Sequence, residues 1–234
     1  MRTTIISGII ASVFGLLAPH ILQAQGTTYL SNLDQSSVGS LGAGSNSWFA
    51  GIFETGTNPG GYVLNSLQLA MTDASGNPSG FMVSLYSSLA GGVSPGSSLG
   101  TLTGSLNPVT AGIYTYTPAA NLTLAPNDPY FIVLTAGTAV ANGAYEWSLA
   151  GTASYNPTDG WSTLVRVTGG FAGGVSTSSN GSSPWVGNES AFAQFAVNGS
   201  PVPEPGVLSL LVLGGFFLVW HGRKAKAIYE NNNH

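Results

Sequence analysis

The chain has 234 residues and a formal net charge of −4; 43 % of the residues are hydrophobic, only 6 % are charged, and there is no cysteine. Between Gln25 and Pro201 the only basic residue is Arg166, set against Asp34, Glu54, Asp73, Asp128, Glu146, Asp159 and Glu189, so no basic patch exists to neutralise phosphates, and nucleic acid and anionic membrane surfaces are excluded as partners. The histidines, His20, His221 and His234, all lie towards the ends, which strips the middle of the chain of the commonest general base, of Ser–His and Cys–His nucleophile pairs and of ordinary zinc sites.

The N-terminus reads as a secretory signal peptide over 1–24. Met1-Arg2 gives a short positive start, and Ile5 to Leu17 is an apolar core broken only by Ser7, Gly8, Ser12 and Gly15. Leu22-Gln23-Ala24 offers a small residue for signal peptidase, which places the cut between Ala24 and Gln25. The apolar stretch is too short and wrongly flanked for a stable span. The following residues, about 177 from Gln25 to Pro201, are enough for one domain with a real core. That core must hold without the disulfides that an exported location permits.

No long 3.6-residue pattern appears in this domain; short runs with two-residue alternation recur instead. Ser47 to Glu54 is the first expected strand. Tyr62 to Thr72 follows, with Asn65, Leu67, Leu69 and Met71 on one face and Ser66, Gln68, Ala70 and Thr72 on the other. Phe81, Val83 and Leu85 alternate with Met82, Ser84 and Tyr86, and Ile113 to Thr117 alternates likewise. Tyr130 to Thr135 is continuously apolar, as in a central strand. Tyr145 to Leu149, Leu164 to Val167 and Ala191 to Val197 complete the set. Turn residues sit between them at Ser75 to Pro78, Ser94 to Gly96, Asn107-Pro108, Ala125 to Asp128 and Asn142-Gly143. Asn142-Gly143 is expected to close a hairpin between Tyr130–Thr135 and Tyr145–Leu149. Gly169 to Trp185 reads as a long surface loop. The expected fold is all-β, a single jelly-roll-like β-sandwich over 25–198, with a short linker at 199–202.

Three constellations carry candidate chemistry. Trp161 and Trp185, in loop-like surroundings, could stack sugar rings, whereas Trp147 alternates with Tyr145 and Leu149 and reads as core; aromatics in a sandwich otherwise serve as core and cross-strand pairs. Asn156 and Asp159 could contribute oxygens to calcium, although no Asp-x-Asp-x-Asp spacing occurs and no metal site is expected. A polymer hydrolase would need two facing carboxylates among Glu54, Glu146 and Glu189, which are scattered through the chain. No catalytic residue and no cofactor is expected.

The C-terminal residues say most about destination. Pro203-Glu204-Pro205 precedes an apolar run, Gly206 to Trp220, whose one polar residue is Ser209, and then the basic cluster Arg223, Lys224 and Lys226. Pro205 suits the first turn of a helix, where its missing N–H costs nothing, and Glu204 faces the positive end of the helix dipole. At about 1.5 Å rise per residue, 205–221 spans about 25 Å against a hydrocarbon core of about 30 Å. It can therefore cross a bilayer marginally, by thinning it or by letting Arg223 and Lys224 snorkel. The basic cluster puts 227–234 in the cytoplasm and everything before Pro203 outside. An unprocessed transmembrane anchor would have the same features.

Tripeptide, span and basic cluster together, over 203–226, resemble the PEP-CTERM sorting signal of exopolysaccharide-producing Gram-negative bacteria. The resemblance implies an exosortase, a membrane-embedded cysteine transpeptidase, that recognises and cuts at the motif. The tail 227–234 runs past the point where members of that family usually stop. A second resemblance covers roughly Gly26 to Val197. Leu67-Gln68-Leu69, Phe81 to Tyr86, Pro95-Gly96, Leu122-Thr123-Leu124, Tyr130 to Leu134 and Tyr145-Glu146-Trp147 look like the choice-of-anchor R domain, a sandwich-like extracytoplasmic domain with interchangeable anchors and no catalytic residues to transfer. The expectation is an exported, non-enzymatic surface or matrix protein. It would be handled by the Sec machinery and signal peptidase, held transiently in the inner membrane facing the periplasm, then passed by an exosortase to the cell surface or an extracellular polysaccharide. The alternative is a carbohydrate-binding module that recognises that polymer through exposed aromatics.

Overall fold

The computed structural model describes residues 26–89, 94–152, 155–163, 165–167, 170–172, 174–182, 184–188 and 192–203. The signal peptide with Ala24 and Gln25, together with Glu204, Pro205, the expected helix 205–221, the basic cluster Arg223, Lys224 and Lys226 and the tail 227–234, lies outside the described residues. So does Glu189.

The described chain is all-β. Its strands are β1 (Thr27–Ser31), β2 (Ser37–Ala43), β3 (Trp48–Glu54), β4 (Tyr62–Met71), β5 (Ser75–Gly76), β6 (Met82–Ser88), β7 (Pro95–Thr103), β8 (Gly112–Pro118), β9 (Leu122–Leu124), β10 (Pro129–Thr135), β11 (Gly143–Ala150), β12 (Val165–Val167), β13 (Gly170–Ala172), β14 (Val175–Ser178), β15 (Val186–Asn188), β16 (Phe192–Ala193) and β17 (Phe195–Pro201). Fifteen of them form one antiparallel, curled sheet in the order β1-β17-β4-β8-β7-β6-β10-β3-β14-β15, with β9 on β4 and β11 bridging β2, β16, β4 and β5; β12 and β13 pair separately. The short junction of β7 with β8, Leu102 opposite Pro118 and Thr103 opposite Thr117, joins two limbs. One limb carries β17, β4 and β11, the other β6, β10 and β3.

The limbs face each other across the core. Phe81, just before β6, packs on Tyr116 of β8 and Tyr145 of β11. Gly51 of β3 lies directly under Trp147 of β11: a Cβ there would sit 2.8 Å from the indole Cη2, so no side chain fits. β10 lies between β3 and β6. Tyr130, Ile132 and Leu134 enter the main core, while Phe131 and Val133 join Ala50 and Ile52 in a second cluster on the outer face. Burial on both faces explains why this segment is continuously apolar.

β4 departs from strict alternation. Tyr62 and Leu64 are buried, and so are Leu67, Leu69 and Met71. The phase changes because the register with β17 slips between Asn198–Ser66 and Gly199–Leu64, a bulge that leaves Asn65 over. Asn65, expected on the apolar face, instead donates its amide to the Ser200 hydroxyl.

Three further expectations are corrected. Asn142-Gly143 closes no hairpin between β10 and β11: both edges of β10 are taken by β3 and β6, and β11 lies in the other limb. The segment 169–185 contains β13 and β14; β14 adds to the free edge of β3, and its Ser176 and Ser178 are buried. The expected linker at 199–202 is strand as far as Pro201, since Gly199, Ser200 and Pro201 pair with Leu64, Val63 and Tyr62.

One buried amide joins β16 to β17. Between Ala193 and Phe195 the chain leaves β11 and joins β4. Gln194, 3 % exposed, fills the gap. Its Nε2 donates to the carbonyls of Asn32 and Gln35, and its Oε1 accepts from the Ser148 hydroxyl. Its carbonyl accepts from the Trp147 indole and from Ala70 N–H. Asn32, fully buried, donates to the Ala193 carbonyl and accepts from Phe195 N–H.

Gln194→Ala keeps the backbone carbonyl but removes the side-chain bonds to the Asn32 and Gln35 carbonyls and to Ser148; it should cost about 2–4 kcal/mol, lowering the thermal midpoint by about 5–15 °C. Ile113→Ala, on the outward face of β8 where Ile113 is 57 % exposed, should stay within about 0.5 kcal/mol. Calorimetry of both variants checks this; equal effects would mean that the amide does not hold the crossover.

Candidate functional site

The two ends of the domain leave it side by side. β1 and β17 are antiparallel neighbours with Thr27 opposite Gly199, so Gly26 and Val202 emerge at one pole. There the chain is tied down to its last described residues. Val202 N–H donates to the Gly61 carbonyl, and the Asn58 amide donates to the carbonyls of Gly61 and Val202 at 2.6 and 3.1 Å. Asn58 N–H in turn donates to the Tyr62 hydroxyl. Pro203, the first residue of the expected sorting motif, is exposed immediately beyond this clamp.

An aromatic stack supports the pole. Trp161 lies 4.8 Å from Tyr29 and 5.7 Å from Phe53 in near-parallel planes, and meets Tyr62 edge-on at 5.0 Å. Phe53 continues the stack to Tyr130. The turn carrying Trp161 is fixed by Thr158 N–H to the Tyr29 carbonyl and by reciprocal bonds between Glu54 and Ser162. Trp161 is 2 % exposed, and its indole N–H has no hydrogen-bond partner among the described residues.

Trp161 therefore offers no face to a sugar; the loop-like sequence around it concealed a core position under the chain termini. Trp185 is half-buried, packed with Trp48 and Tyr86 against the outer cluster on β3 and β10. The structure separates the two tryptophans, which belong to different clusters. Trp147 is core, as its alternation indicated. Asp159 has φ 53° and closes a turn, and Asn156 reaches Asp34 at 3.3 Å. Among the described residues no group of three or more potential metal ligands comes together. Glu54 ends β3 in one limb, and Glu146 sits in β11 of the other, where it accepts from Ser40 and Ser75. The clamp at Asn58 was missed because Asn58-Pro59-Gly60-Gly61 carries only a turn signature; its partner lies far along the chain.

Burial pushes the Tyr130 phenol up to about 12, against a donated bond from Ala125 N–H that pulls the other way. Burial also raises Tyr29, with the Asp159 charge adding to it, and Tyr116 and Tyr155 are raised by burial as well. No protein-family model matches the chain, and no characterised protein or solved structure matches it either.

Two predictions follow from this pole. An unfolded chain releases tyrosine protons from about pH 10, whereas folded Tyr130 holds its proton to about 12. Its contribution to stability is complete below pH 10 and is lost as pH rises from about 10 to 12; denaturant midpoints across that range should fall, and fall less in Tyr130→Phe. Asn58→Ala should cost about 1–2 kcal/mol and speed proteolytic cleavage next to Val202, read by mass spectrometry of timed digests; unchanged cleavage would remove the clamp.

Proposed function

We propose that this chain is an exported, non-enzymatic surface or matrix protein whose C-terminal tail is recognised and cut by an exosortase-like membrane transpeptidase. The observation that carries the reading is the common pole: Gly26 and Val202 leave the domain beside each other, as suits a domain whose flanking apolar segments both insert in one membrane before processing. The unbroken run of β17 to Pro201, and the clamp on Val202, support it further. They put the folded boundary directly against Pro203-Glu204-Pro205, so a cut there would leave the whole sheet intact.

In this reading the domain is a jelly-roll-like β-sandwich of the choice-of-anchor type. The inward packing of the two limbs on Trp147, Tyr145 and Phe81 supports that form. The signal peptide at 1–24 directs the chain through the inner membrane, 205–221 holds it there facing the periplasm, and release passes it to the cell surface or an extracellular polysaccharide. A surface rich in Ser, Thr, Asn and Gly, with few charges, suits a hydrated matrix.

Intact mass of the protein from its native host, compared with a variant carrying Pro203→Ala, Glu204→Ala and Pro205→Ala, tests this. The wild type should begin near Gln25 and end near Pro203, and the shortened form should vanish in the variant. Retention of Arg223 to His234 in both would mean a permanent anchor and overturn the reading.

A further inference from the structure

We propose that the cavity between the start of β3 and the β14–β15 hairpin is a binding site for a neutral saccharide. It has a volume of about 430 Å³ and is lined by Asn46, Ser47, Ser179 and Asn180, with Pro184 and Val186 among the apolar contributors. That volume is in the range of small-ligand sites, roughly 300–1,000 Å³.

The chemistry of the lining selects the ligand. Among the described residues, every polar group in it is a hydroxyl, an amide or backbone, and no charged side chain contributes. Anionic sugars and phosphates would find no cation there. Some of the polar groups are committed to the protein: Ser178 donates to the Ser182 carbonyl, Asn180 Oδ1 accepts from Ser182 N–H, and Asn46 Oδ1 accepts from Val140 N–H. The Ser47 and Ser179 hydroxyls and the amide nitrogens of Asn46 and Asn180 make no hydrogen bond among the described residues. They remain as donors, and the hydroxyls as acceptors too, which is the mixed pattern that sugar hydroxyls satisfy. Val186, 63 % exposed, and Pro184 supply apolar contact for the C–H face of a pyranose.

The site is built rather than incidental to a loose loop. Gly181, at φ 73°, lies against the Trp48 ring: a Cβ there would stand 2.3 Å from the indole, so the turn seats only with glycine at this position. Trp48 is anchored by its indole N–H to the Ser45 carbonyl and packs on the outer cluster of β3 and β10. Its place in the domain also fits. β3 runs seven residues from Trp48 at this cavity to Glu54 at the pole of the chain ends, about 20 Å away at roughly 3.3 Å per residue. A domain held at its ends would present the cavity outward. This assignment deepens the matrix reading by naming the ligand class, and rests on that reading only for the saccharide being within reach.

The test uses the full chain purified in a sugar-free detergent. Neutral hexasaccharides of gluco, manno and galacto configuration are compared with a polyuronate hexasaccharide by titration calorimetry. At least one neutral oligomer should bind, and the Ser47→Ala/Ser179→Ala double variant, which removes two hydroxyls with no internal bonds, should weaken it at least tenfold with an unchanged thermal midpoint. Val186→Asp provides a second, surface-only perturbation and should also weaken binding. Absence of binding by every neutral oligomer, equal affinity in the variants, or preference for the polyuronate would overturn the proposal. Failure here leaves the processing experiment untouched, and failure of processing leaves this binding measurement standing.

Discussion

Where the chain passes from β16 to β17 it changes pairing partner inside the core, and a backbone that does so exposes donors and acceptors to an apolar interior. Such groups must be paired, or they cost about 1–3 kcal/mol each. Gln194 and Asn32 supply the missing partners, and they tie the first loop after β1, the middle of β11 and the last strand into one network. The seating of Trp147, through its bond to the Gln194 carbonyl, sets how close the other limb can come. The bare Gly51 backbone receives that indole. The two limbs thus meet where a backbone carbonyl at the crossover holds the indole, while the Gln194 side chain pairs the polar groups beside it.

The same economy of side chains appears at the two poles. At one, five aromatic rings support a turn that fastens the last strand. At the other, serines and asparagines edge a hollow beside Trp48. With almost no charge available, the domain uses amides, hydroxyls and ring stacking where other domains use ion pairs.

The sequence made most of the sheet interior legible. Tyr130 to Thr135, the Phe81–Leu85 alternation and Tyr145 to Leu149 gave strands in the right places, because apolar periodicity records which face is buried. What it concealed has physical causes. β7 and β14 are built from serine, glycine and threonine, and β14 buries hydroxyls, so neither shows the apolar signature. Asn65 broke the period of β4 through a bulge, which is a property of the pairing with β17 and not of β4 alone. Asn142-Gly143 had the chemistry of a tight turn, but pairing depends on which edges are free. Trp161 looked exposed because its neighbours, Thr158 to Gly160, are turn residues; only the fold brings Tyr29, Phe53 and Tyr62 around it. The outer cavity had no sequence signal beyond Asn180-Gly181, since its walls come from 46–47, 177–180, 182, 184 and 186.

The placement of β17 between β1 and β4 has a mechanical consequence. It is paired with β4 from Phe195–Leu69 to Pro201–Tyr62, and with β1 along its other edge. Tension entering through Val202 and directed along the strand meets those hydrogen bonds side by side, so they must yield together. Tension that draws the two chain ends apart meets β1 and β17 at their common end and opens them one bond after another, like a zip. A domain tethered by its C-terminal strand alone is thus loaded in its strong direction, and one gripped at both ends in its weak one.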